Sequence, residues 1–364
     1  MTIINEFLPD KVYHPGITLN EKLQEMGMSR KEFALRAGKP EKTIIAVLKG
    51  TSSVTAEMAI LFENITRIPA HFWINKQSRY NEYKARLQRQ RAVQQAKEWT
   101  RQFPYAQMAQ LGWVPKTRKI EEKTLYLFEY FGISSHRAWT RLYIDCPLKV
   151  AAYTSLKHTH DPHAISAWLR QGEFQAENCS SSEFDKKRLV QNLHEIKTIM
   201  ANHPDNFFAR VKQLCLNAGV KIFYTPKLPR VPISGSTRWI RNTPVIQFTA
   251  RYKQSDRFWF TFFHEIGHIL LHGKKYISLE GIDFSDADPE KEQEAHDFAE
   301  EWTFSKKQEK ELLAHDRIDE SLVIEFAQKH NTHPALIIGR LQHKNLIPYS
   351  VGRQLIQPID LSDQ

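Results

Sequence analysis

Cysteine is scarce in this chain: three residues, Cys146, Cys179 and Cys215, are scattered through 364. That number and spacing exclude a disulfide framework and a cysteine metal knuckle and fit a reducing compartment, so a cytoplasmic location is expected. Long apolar runs are missing as well. The longest candidate, residues 258–273 (FWFTFFHEIGHILLHG), is interrupted by His264, Glu265 and His268, so no membrane-spanning helix and no membrane partner are expected. Glu6 and Asp10 stand among the few apolar residues at the start, unlike a secretory signal. A hydrophobic content of 41% over this length suits two or three globular domains with ordinary cores.

Acidic residues are outnumbered, 41 against 51 Lys and Arg, and the imbalance is uneven. Residues 1–102 hold 17 Lys or Arg and 10 Asp or Glu, so seven of the ten surplus positive charges fall there. Such a surplus raises affinity for nucleic acid and makes it salt-dependent. The same region is punctuated like a helix-turn-helix. Leu19, Leu23 and Met26 follow helical spacing after His14-Pro15-Gly16, and Gly27 ends the run. Ser29 is placed to cap residues 30–37, with Glu32 completing a capping box. Gly38 makes the turn, Pro40 opens a short helix to Leu48, and Gly50 stops it. Further helices are expected near residues 56–63 and 70–83.

In this motif the second short helix enters the DNA major groove. Ile44, Val47 and Leu48 would face its core, leaving Lys42, Thr43, Ala46 and Lys49 outward. With Arg30 and Lys39 these form the expected DNA-contacting set, lysines on phosphates and Thr43 on a base edge. The alternative is a helix-turn-helix used for protein contacts. Lys84, Arg86, Arg89, Arg91 and Lys97 would belong to a connecting helix.

Within the apolar run, His264-Glu265-Ile266-Gly267-His268 carries chemistry. Side chains four apart share a helix face, so two imidazoles can grip one zinc ion while Glu265 reaches a water beside it. That is the working part of a zinc peptidase. The surrounding helix is apolar nearly all round and so runs through a core, where two histidines and a glutamate would be costly unless a metal pairs them. The bland alternative is a structural helix that holds these letters by accident.

Zinc needs a third protein ligand. In the acidic helical stretch 290–302, a buried face marked by Ala295, Phe298, Ala299 and Trp302 puts Glu292 and His296 on the Ala295/Ala299 side and turns Glu294 outward. Glu292 is therefore the expected third ligand, with Glu294 the alternative. His296 is placed to orient a ligating imidazole or to compete for the metal. His272, a turn beyond His268, reads as a packed or substrate-facing histidine rather than a ligand. Arg251, Tyr252 and Arg257 precede the helix, as groups that steady substrate or oxyanion or as a solvated basic loop.

This segment resembles the ImmA/IrrE family of metallopeptidases, whose H-E-x-G-H helix is followed by a glutamate and an alanine-phenylalanine-alanine helix; Glu292, Ala295, Phe298 and Ala299 match that phrase. His296 departs from the usual asparagine or aspartate, and Phe304-Ser305 from the usual methionine-proline. Residues 214–220, 232–239 and 244–248 resemble the strands before that family's active helix. The runs 220–224 and 245–248 also read independently as short strands, bounded by Gly and Pro, of a small sheet that could add a peptide at its edge. Ile324 to Leu341 reads as helical and resembles the family's closing segment. At the other end, residues 11–80, with Phe72-Trp73 and Gln77-Ser78-Arg79-Tyr80, resemble HigA-type antitoxins of the XRE helix-turn-helix family, although Ile45, Ala46 and Arg30-Lys31 depart from it.

The expected fold is mainly α with a small α+β domain: an all-α helix-turn-helix domain at 1–80, a helical connector at 81–190, a zincin-like α+β domain at 191–350 and a tail at 351–364. The two resemblances imply an antitoxin-like DNA-binding transcriptional regulator that carries a zinc-dependent endopeptidase. The metal would be Zn2+, held by His264, His268 and Glu292, with Glu265 as the catalytic base. The implied partners are operator DNA, pseudo-palindromic and bound by a homodimer, and a protein substrate such as a repressor or toxin. The alternative is a non-proteolytic antitoxin or repressor whose metal domain binds a toxin or senses a ligand.

Overall fold

The computed structural model describes residues 11–145, 161–249, 254–275, 278–280 and 289–361. The chain divides into two compact units, Met1–Gln95 and Ala96–Gln364.

The first unit holds five helices, α1 (Pro15–Glu25), α2 (Arg30–Arg36), α3 (Glu41–Leu48), α4 (Ala56–Thr66) and α5 (Ala70–Gln95). Several of their ends fall where the sequence supplies a reason. The His14 ring accepts the Gly16 amide and Pro15 sits in the first turn of α1; Ser29 and Thr55 side chains cap α2 and α4. Gly27, Gly38 and Gly50 take positive φ after α1, α2 and α3, a conformation that costs glycine little. The expected capping box at α2 forms by half only. Ser29 accepts from the Glu32 amide, but the Glu32 carboxylate turns to Arg36, 2.7 Å away, where a full charge is the better partner. Leu19, Phe33, Ile44, Val47, Phe62 and Trp73 fill the core. Helix α5 runs unbroken past residue 80, so the boundary expected there falls inside a helix.

The second unit starts with α6 (Lys97–Arg101), α7 (Tyr105–Gln110), α8 (Ile120–Phe131) and α9 (His136–Thr140). Trp99, Phe103, Phe131 and Trp139 meet ring against ring among them. These helices, and most of the segment expected as a separate connector, belong to the same unit as His264, His268 and Glu292. Three further helices follow, α10 (Pro162–Glu177), α11 (Lys186–Asn202) and α12 (Phe207–Asn217).

A four-stranded sheet comes next, β1 (Lys221–Tyr224), β2 (Gly235–Ile240), β3 (Thr243–Phe248) and β4 (Ser278–Glu280), in the order β1-β3-β2-β4. β1 lies parallel to β3, with Ile222 opposite Ile246; β2 is antiparallel to both β3 and β4. Helix α13 (Ser255–Leu271) covers the sheet face from which Gly235 and Thr237 project. Helix α10 covers the other face through buried polar groups: Gln247 donates to the Trp168 carbonyl and Arg238 to that of Leu169. Gly172 makes this close approach possible, since a Cβ there would stand 2.1 Å from Gln247 Oε1. The unit closes with α14 (Pro289–Thr303), α15 (Lys306–Leu313), α16 (Glu320–Lys329) and α17 (Pro334–His343).

Candidate metal centre

Helix α13 is buried at 13 of its 17 positions, as a helix apolar on all sides must be. Phe258, Trp259, Phe262, Phe263, Ile266 and Ile269 share one core with α11, α12 and the sheet. Packing on that scale fixes the helix, and the helix fixes His264, Glu265 and His268. Glu265 is wholly buried, and His264 and His268 nearly so.

The 3.6-residue period stacks His264 and His268 on one face, ring centroids 4.6 Å apart and nearly perpendicular. Their Nε2 atoms stand 2.9 Å from one another. Helix α14 brings Glu292 to the same point, Oε2 3.2 Å from His264 Nε2 and Oε1 3.6 Å from His268 Nε2. Among the described residues this trio is the one His/Cys/Asp/Glu group whose ligand atoms converge closely enough for a metal ion. The spacing suits zinc: ligands about 2.0–2.1 Å from a tetrahedral ion stand about 3.3 Å from each other, and the three separations, 2.9, 3.2 and 3.6 Å, bracket that value. Burial pushes the His268 imidazole down to about 4, which keeps it neutral with a lone pair to offer.

Two glycines permit the close approaches around this site. Gly267 lies against α14, where an added Cβ would stand 3.2 Å from the Ala295 Cα and 3.3 Å from Phe298. On the opposite side of α13, a Cβ on Gly235 would stand 2.9 Å from Glu265 Oε1. The first strand residue is therefore hollowed to admit the Glu265 carboxylate. Sequence inspection missed that role, although a glycine in a strand commonly marks such an approach.

The remaining expected residues are dispersed. His272 packs behind the trio, its Nδ1 3.0 Å from His268 Nδ1. Its Nε2 lies 2.9 Å from Oε2 of Glu294, whose side chain is largely exposed. In the frame of α14 it does face away from the core; the last turn of α13 rises to meet it. His296 stands one turn after Glu292, within electrostatic reach of His264. It rests on Phe260 and pairs with Glu300, Nε2 to Oε1 3.5 Å, and burial lowers its pKa. Arg257 is exposed on the first turn of α13, and Arg251 and Tyr252 lie outside the described residues.

In the first unit Arg30, Lys42 and Lys49 are exposed, and Thr43 and Ala46 half-buried on α3. Lys39 is held by Glu57 at 2.7 Å, so part of its charge is spent within the fold. No helix among the described residues is long and apolar enough to cross a membrane.

Comparison with known proteins agrees with this division. Residues 19–73 match the helix-turn-helix family model and residues 215–341 that of the IrrE N-terminal-like domain, peptidase family M78. Among solved structures, an addiction module antidote protein of the HigA family from Coxiella burnetii is 27% identical over 23% of this chain and 94% of its own, TM-score 0.22. The Pseudomonas aeruginosa antitoxin HigA, solved with the higBA promoter, is 29% identical over 21% of this chain and 83% of its own, TM-score 0.20. Comparison with curated proteins gives no match. The chain thus carries a helix-turn-helix domain at residues 19–73 and an IrrE N-terminal-like domain of peptidase family M78 at residues 215–341.

Proposed function

We propose that the protein is a DNA-binding regulator whose second unit is a zinc-dependent endopeptidase acting on a partner protein such as a repressor or toxin. The observation that carries the peptidase reading is the convergence of His264, His268 and Glu292 beside a fully buried Glu265. Four-fold coordination with three protein ligands leaves one position open, the arrangement of catalytic rather than structural zinc. Zinc bound there would supply a Lewis acid and lower the pKa of a water to about 7.

The chain's own residues then divide the work. Glu265, on the turn between the two histidines, takes a proton from the water whose oxygen attacks the scissile carbonyl carbon. As the carbon–nitrogen bond breaks, the same carboxyl hands that proton to the departing amine nitrogen. Gly235 lets the carboxylate sit against β2 without steric conflict. Helix α3, with exposed Lys42 and Lys49, supplies phosphate contacts for the DNA-binding half. Operator recognition by a homodimer, self-regulation and a cytoplasmic site of action belong to this reading.

Expression of wild type and Glu265→Gln side by side, with new protein N-termini mapped in each, tests it. New termini that appear with wild type and vanish in the variant, at equal zinc content, support proteolysis. Identical termini in both overturn it and leave a non-proteolytic regulator.

A further inference from the structure

His268 has two ring nitrogens and both are engaged. Nε2 points at His264 and Glu292, while Nδ1 lies 3.0 Å from His272 Nδ1. His272 is turned so that its second nitrogen lies 2.9 Å from Glu294 Oε2. The His272 side chain is almost fully buried, and that of Glu294 is largely exposed. This row leads from a surface carboxylate, through a buried imidazole that is not a ligand, to the back of a ligand. Glu294 comes from α14, and both histidines come from the C-terminal end of α13.

The proton positions along the row are dictated by chemistry. An ionised carboxylate only accepts hydrogen bonds, and a neutral imidazole donates from one nitrogen and accepts at the other. Glu294 therefore accepts from His272 Nε2–H. His272 Nδ1 is left as an acceptor, so His268 must carry its proton on Nδ1 and keep its lone pair on Nε2. That is the tautomer needed for ligation at the point where the three ligand atoms meet. Reversing the row would place a lone pair on His268 Nδ1 and a proton on Nε2, directed at the ion.

We propose that Glu294 and His272 form a positioning relay that fixes the tautomer and ring orientation of His268 and so tunes the affinity of the centre for its metal. The proposal rests on the metal centre assigned above. A carboxylate behind a ligating histidine is a common device; here an intervening histidine lengthens it and brings its outer end to the surface. Glu294 is thus a remote control point on the centre, reachable by solvent and by any cation that competes for its carboxylate.

Zinc affinity, measured by competition with a chromogenic chelator on the full chain, tests the relay through a double-mutant cycle of His272→Ala, Glu294→Ala and the pair. His272→Ala should weaken zinc binding about ten- to a hundredfold, the range for partners of metal ligands, with one ion still bound at saturating zinc. Glu294→Ala should weaken it less, and should add nothing once His272 is gone, because it acts only through that ring. Its exposed position makes it the variant that keeps the fold, and the visible spectrum of bound Co2+ reports any change in ligand geometry. Unchanged affinity and Co2+ spectrum in Glu294→Ala, or additive losses in the pair, overturn the relay while leaving the centre intact. A wild-type chain that binds no zinc overturns the centre itself.

Discussion

Gly267 and Ala295 bring helices α13 and α14 together almost backbone to backbone: a Cβ on Gly267 would stand 3.2 Å from the Ala295 Cα. Glu292 sits one turn before Ala295, so this contact sets how far the third ligand reaches. Gly267→Ala should push α14 outward by a few tenths of an ångström. Better helix propensity, worth about 1 kcal/mol, opposes an overpacking cost of about 1–3 kcal/mol. The melting temperature should fall by only a few degrees while zinc affinity falls about tenfold, the lower end for groups that support metal ligands. Equal zinc affinity in the variant would show that α14 is not held by this contact.

Glu292 and Glu294 are two residues apart, and the proposed centre gives them different roles. Glu292→Ala removes one of three ligands and should abolish stoichiometric zinc in the purified protein. Glu294→Ala should retain one ion per chain when zinc is in excess. The reverse pattern in metal analysis would move the ligand assignment to Glu294.

Zinc that binds the folded chain and not the unfolded one stabilises it by mass action, about 2.7 kcal/mol at a hundredfold excess over Kd. For a unit of this size the corresponding shift is about 5–10 °C. Chelation should lower the melting temperature by that amount in wild type and leave Glu292→Ala unmoved. A variant that shifts as far as wild type would place the zinc effect elsewhere in the chain.

On the DNA side, Lys42 and Lys49 are exposed on α3, whereas Lys39 is paired with Glu57. Each lysine that meets a phosphate contributes about one unit to the slope of log affinity against log salt. Lys42→Ala and Lys49→Ala should each reduce that slope for a duplex carrying the protein's own promoter, and Lys39→Ala should reduce it less. Equal slopes in all three would argue that α3 does not face DNA.

What was legible in the sequence follows from periodicity and punctuation. His264, Glu265 and His268 stand out because a polar triplet in an apolar helix needs a partner, and Glu292 follows from the apolar stripe of its own helix. The glycines at 27, 38 and 50 ended helices where expected because positive φ is a local property. Relations between elements were less legible. Glu294 faces outward on α14, but its pairing with His272 depends on the end of α13, which the stripe of α14 alone does not show. The contact of His296 with Phe260 was likewise not legible, because Phe260 belongs to α13. The burial of Arg238 and Gln247 on the sheet has no signal in their own strands and is explained by the arrival of Gly172 on α10.

His333 caps α17 through its ring: Nδ1 accepts the Ala335 amide, and Pro334 occupies the first turn. Burial pushes the imidazole down to about 4 from 6.5, and the ring of His203 lies 5.2 Å away. The unfolded chain therefore binds this proton before the folded one does. The stabilisation is complete above pH 6.5 and is lost as pH falls from 6.5 towards 4, at about 1.4 kcal/mol per pH unit. Protonation would also remove the acceptor that caps the helix. Asparagine keeps an acceptor at the cap without titrating, so His333→Asn should flatten the acid limb of the stability curve in that window and leave neutral-pH stability nearly unchanged. Urea midpoints measured across the window check this, and parallel curves for the two proteins would mean that the protons destabilising the fold bind elsewhere.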